Sequence, residues 1–140
     1  MNKWLPASLL LLSACMHPQE QADPPPTCAA ISASPTHLYT LYFGRSVKGR
    51  ADVTDAEWLD FRDRSITPNL PDGYTVLDAT GAWMNPRSRV TITETTKVLV
   101  TSLPPTQDAF AAIQRVRQAY RDRFNQLLIG MTRQPGCADF

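Results

Sequence analysis

Asp78, Glu94 and Lys97 lie near the middle of this 140-residue chain. Two carboxylates and an amine can form an acid/base set if they converge in a pocket. All three sit on or near segments with strand-like patterns, so a plainer reading is preferred: a charge pair between neighbouring strands on a solvated edge. Tyr42, Tyr74 and Trp83 could make an aromatic platform for a glycan or peptide, or serve as core and interface rings that need no ligand. The chain has no G-x-S-x-G elbow, no P-loop and no dinucleotide-binding glycine signature. His17 and His37 have no cysteine or histidine partner at metal-ligand spacing, so neither a metal nor a cofactor is expected. The chain carries 14 Lys+Arg against 13 Asp+Glu, a balance that does not suggest a nucleic-acid partner.

The three cysteines are chemically distinct. Lys3 supplies a basic start, and the run from Trp4 to Leu12 is apolar but too short to span a bilayer, which takes roughly 20 apolar residues. It ends in Leu12-Ser13-Ala14-Cys15, which resembles the lipobox of bacterial lipoproteins. That resemblance implies cleavage before Cys15 and acylation of the new N-terminus, with residues 1–14 as a signal peptide. Met16 follows in place of the Asp that resembles an inner-membrane retention signal, so the expected location is the cell envelope, with the anchor in the outer membrane facing the periplasm. Residues 15–36 are rich in proline and poor in large apolar groups, the composition of an extended tether. With Cys15 lipidated, Cys28 and Cys137 remain as an even pair in an oxidising compartment, where a bridge between them is expected. Two free thiols, or pairing with another protein, are the alternatives.

The elements that would position these groups follow from period and punctuation. His37 to Phe43 is aromatic and branched and stops at Gly44, which reads as a central strand. Thr54-Asp55-Ala56-Glu57 has capping-box order, and Trp58, Leu59 and Phe61 give the apolar stripe of a short helix that Pro68 and Pro71 stop. Pro71-Asp72-Gly73 is a turn that launches a strand from Tyr74 to Ala79, ended by Gly81 and the segment Asn85 to Ser88. Val90 to Glu94 and Lys97 to Thr101 read as the returning arm, with an irregularity near Thr95 and Thr96. From Thr106 to Phe124, Ala109, Ile113, Val116, Tyr120 and Phe124 recur at spacings of three and four, the apolar face of a helix. Leu127 to Met131 reads as the last strand. The order βαββαβ over residues 37–140 predicts an α+β domain of ferredoxin-like type, a four-stranded antiparallel sheet with both helices on one face.

Leu41-Tyr42-Phe43-Gly44, Pro71 to Asp78 with Gly81 and Trp83, Lys97 to Val100 and the closing Cys137 resemble a family of bacterial lipoproteins catalogued as domain of unknown function 3574. The resemblance implies the same fold and address over the whole domain and adds no reaction. Two function classes follow. One is a non-enzymatic, lipid-anchored envelope module that binds an envelope protein, or a second copy of itself, through the sheet face the helices leave open. The other is a small enzyme or small-ligand binder, built as a dimeric α/β barrel, with a pocket near the 74–101 hairpin.

Overall fold

Burial of alternate residues of one strand sets the architecture. The computed structural model describes residues 27–85 and 88–140. Within it β1 (Ser34–Gly44) turns Tyr39, Leu41 and Phe43 to one side, where all three are fully buried, and Leu38, Thr40 and Tyr42 to the other. β2 (Thr75–Met84), β3 (Thr91–Leu103) and β4 (Gly130–Ala138) complete a four-stranded sheet of order β2-β3-β1-β4 in which every neighbouring pair is antiparallel.

Two helices cover the side that holds Phe43. The Phe43 ring centroid lies 5.4 Å from that of Trp58, on α1 (Asp55–Phe61), and 4.9 Å from that of Tyr120, on α2 (Gln107–Phe124). Phe61 and Phe124 extend this ring cluster, with edge-on or tilted contacts of the kind aromatic quadrupoles favour. α1 starts where its sequence says it should. The Thr54 hydroxyl accepts from the Glu57 N–H at 3.2 Å and the Glu57 carboxylate accepts from the Thr54 N–H at 2.8 Å, a complete capping box. The helix then widens into a π turn, Arg62–Ile66, before Pro68 and Pro71 end it. The Thr106 hydroxyl caps α2 at Ala109, and Asn125 closes it with φ of 52°, a left-handed conformation that asparagine adopts at little cost.

The structure corrects three boundaries. β2 continues through Gly81 to Met84 instead of stopping there, because Gly81 pairs with Glu94 and its missing side chain makes room for the Thr96 hydroxyl, 2.9 Å from where a Cβ would sit. β3 has no irregularity at Thr95 and Thr96, which pair in register with Thr80 and Ala79. β4 begins at Gly130, and Leu127 and Leu128 lie outside it at 95% and 70% exposure. Tyr42 pairs with Gly130 at the first rung of β4, where an added Cβ would lie 3.2 Å from Tyr42 Cδ2, and Pro135 is tolerated because β4 is an edge strand.

A single 3-10 turn, Cys28–Ile31, precedes β1, and Cys28 is bridged to Cys137 of β4 with Cα atoms 5.3 Å apart. No helix among the described residues is long and apolar enough to cross a membrane. Cys15, the signal peptide 1–14 and most of the tether 15–36 lie outside the described residues, as do Pro86 and Arg87 of the hairpin turn.

Two outcomes follow from these contacts. Arg50, with the Thr54 N–H, holds the Glu57 carboxyl down at about 2 from an ordinary 4.5. A depressed folded-state value means that the stabilisation is complete above pH 4.5 and is lost as pH falls toward 2. Glu57→Gln should therefore flatten the acid limb of a stability–pH profile measured by urea denaturation. Because the bridge closes a 109-residue separation, reduction or Cys137→Ser should lower denaturation stability by up to about 5 kcal/mol.

Candidate functional site

β2 and β3 pair with Asp78 directly opposite Lys97, and both side chains lie on the helix side of the sheet. Lys97 Nζ forms an ion pair with Asp78 Oδ1 and lies 3.7 Å from Asp55 Oδ1 at the start of α1. Asp55 also accepts from Arg45 Nη1 at 2.8 Å, while Arg45 Nε donates to the Val53 carbonyl at 2.6 Å. Lys97 is buried, whereas the Asp78 and Asp55 side chains are 81% and 76% exposed. The four charged groups, with Thr80 and Thr95, line an open depression of about 570 Å³. The two anions and two cations there already satisfy one another, and solvent access to both carboxylates keeps the pairs weak.

Glu94 belongs to the other side of the sheet. Positions 94 and 97 are three apart on an unbroken strand, so their side chains point in opposite directions. The expected acid/base set is therefore divided, and Glu94 meets a different group of residues. Trp83 Nε1–H donates to Glu94 Oε1 at 3.2 Å and the Ser46 N–H donates to Oε2 at 3.3 Å. The carboxylate lies across Gly44 so closely that a Cβ on residue 44 would be 2.6 Å from Oε2.

The three aromatic residues do not gather into one platform. Tyr42 is opposite Val98 and Trp83 opposite Ile92, which separates them by six residues of β3, roughly 20 Å along the strand. Tyr74 packs against the core, with its hydroxyl 2.8 Å from Thr67 Oγ1. Tyr42 and Trp83 share the open side with Leu38 and Leu77, and all four are between 39% and 53% exposed. Val98 lies between Tyr42 and Leu77 across the sheet with Val100 next to it on the same side, both half-buried, whereas Thr96 and Glu94 separate Trp83 from that group along β3.

Tyr120 reaches back across the core and donates its hydroxyl to the Gly44 carbonyl at 3.0 Å. Burial pushes its phenol above the ordinary tyrosine range. Gly44 is thus held from the helix side by Tyr120 while Glu94 rests on its other side. Sequence reasoning gave Gly44 and Asp55 structural parts only, a strand end and a helix start, and gave Arg45 no part in a site. Arg45 directly follows the strand-ending glycine, and Asp55 occupies the first position of the capped helix, which was the available signal for an ion pair between those two segments. A second, smaller depression of about 240 Å³ lies between His37, Thr106, Phe110 and Arg133. Among the described residues no three His, Cys, Asp or Glu side chains are grouped to hold a metal ion.

Comparison with known proteins adds to this geometry. A phage SAM lyase, solved in complex with S-methyl-5'-thioadenosine, superimposes with a TM-score of 0.55 at 15% sequence identity, covering 74% of this chain and 90% of the lyase, a likeness of fold. No curated protein matches the chain. The model of the family described as "Protein of unknown function (DUF3574)" matches residues 38–140, from the buried alternation of β1 through the divided hairpin to Cys137, and the chain belongs to that family.

Proposed function

We propose that this protein is a lipid-anchored envelope module, held in the outer membrane through Cys15 and facing the periplasm, that binds an envelope protein through the open side of a ferredoxin-like sheet. The strand order, which runs β4-β1-β3-β2 when taken from the other edge, and the placement of both helices against Phe43 support the ferredoxin-like arrangement. The observation that carries the functional reading is the group of half-exposed apolar side chains Leu38, Tyr42 and Leu77 around Val98 and Val100, with Trp83 farther along the hairpin, on a side of the sheet that neither α1 nor α2 covers. A sheet of four strands spans about 19 Å at a spacing of roughly 4.8 Å, and ten residues of strand run about 33 Å. That footprint is on the scale of the roughly 800 Å² that each partner contributes to a stable interface. The Cys28–Cys137 bridge suits an oxidising envelope compartment.

The test is photo-crosslinking in cells from single sites at Leu77 and Thr40, with Arg115 on the exposed side of α2 as the control. Adducts of one defined mass from the first two sites and none from Arg115 are expected, together with loss of membrane attachment in Cys15→Ser. Equal yields from both sides of the domain would sink the proposal.

The depression beside Asp78 and Lys97 favours a second reading, a binder of a small polar molecule, and a fold neighbour that was solved with a nucleoside thioether lends it support. A rise in Tm on adding S-methyl-5'-thioadenosine, abolished by Lys97→Met, would establish that reading. An unchanged Tm is the outcome expected of the docking module.

A further inference from the structure

On the open side of the sheet, the alternating positions of β1, β2, β3 and β4 carry apolar, hydroxyl or amide side chains, and Glu94 is the one acidic or basic residue among them in the described residues. Its two hydrogen bonds come from neutral donors, the Trp83 indole and the Ser46 backbone. Every ion pair among the described residues lies elsewhere, and none includes Glu94. Each carboxylate oxygen so engaged keeps a further lone pair. The carboxylate is also fixed in place, pressed on Gly44 and held from two sides.

This arrangement constrains what can cover the face. An apolar surface laid over Glu94 would strip water from an uncompensated charge, which is strongly unfavourable. A second copy of the chain would bring its own Glu94 and, among the described residues of the same face, no cation to oppose it. A guanidinium group, by contrast, can donate a fork of two N–H bonds to the two remaining lone pairs and rest against the half-exposed ring of Trp83. We infer that the occupant of the open face is a partner protein with an apolar, strand-like surface that places one arginine side chain on Glu94 and Trp83. This inference rests on the docking role proposed above and names the chemistry of the partner.

The test uses the processed full-length chain and two probes, an alternating valine–threonine heptapeptide with a central arginine and the same peptide with neutral, isosteric citrulline. Binding is followed by the NMR resonance of the Trp83 indole N–H. The arginine peptide is expected to shift it saturably and to bind about tenfold more tightly than the citrulline peptide, the usual worth of a charge-assisted pair. Glu94→Gln should remove that difference while leaving citrulline binding unchanged. Gly44→Ala, which displaces the carboxylate without removing its charge, should reduce it as well. Leu77→Glu should abolish binding of both peptides. Equal affinity for the two peptides, with Leu77→Glu still abolishing both, would overturn the arginine inference and leave the docking face standing. No shift with either peptide would overturn both. Dimerisation of the chain in sedimentation, strengthened by Glu94→Gln, would overturn the inference in favour of a second copy.

Discussion

The two-residue period of an unbroken central pair of strands is the constraint on which everything else in this domain depends. β1 and β3 lie side by side, so their alternation decides together which residues meet the helices and which meet solvent. Tyr39, Leu41, Phe43 and Leu99 bury one side, and α1 and α2 gain their places by covering it. The same alternation sends Lys97 toward α1 and Glu94 away from it. A one-residue slip in β3 would exchange those two charges and place a carboxylate beneath the helices.

The parts of the fold legible in the chain were those where local chemistry and tertiary packing agree. The spacing of Ile113, Val116, Tyr120 and Phe124 describes α2 because each of those residues is buried against the sheet. Thr54 and Glu57 describe the start of α1 because the capping box is complete within four residues and needs nothing distant. β3 was harder to read. Thr93, Glu94, Thr95 and Thr96 break the apolar alternation, and their continuity as a strand depends on pairing with β2, which no local pattern records. The end of the chain misled in the opposite direction. Leu127 and Leu128 look like strand and are exposed, whereas Gly130 to Ala138 looks irregular and is the strand, held by its partner β1 and by a disulfide.

The site was legible in its residue types and in the preference for a charge pair between neighbouring strands, which Asp78 and Lys97 form, and illegible in the rest of its grouping. Asp78 and Lys97 face each other because a register fixed by β2 and β3 makes them direct partners, 19 residues apart in the chain. Arg45 and Asp55 join them only because α1 begins beside the end of β1. Glu94 could have been separated from Lys97 by counting three residues along a strand, and the irregularity expected at Thr95 and Thr96 hid that count. Trp83 was read from the sequence as one ring of an aromatic platform or as an interface ring, while its bond to Glu94 needed the register.

The bridge between Cys28 and Cys137 also has a mechanical meaning. It lies at the end of the β1–β4 ladder where Ser34 pairs with Ala138 and Pro35 with Cys137. An antiparallel ladder under tension peels from its open end, one hydrogen bond at a time. Here that end is closed covalently, so a pull on the chain upstream of Cys28 enters both strands together and cannot unzip the ladder from that end. In the lipid-anchored role proposed above, that closure would protect the domain at the corner nearest its tether.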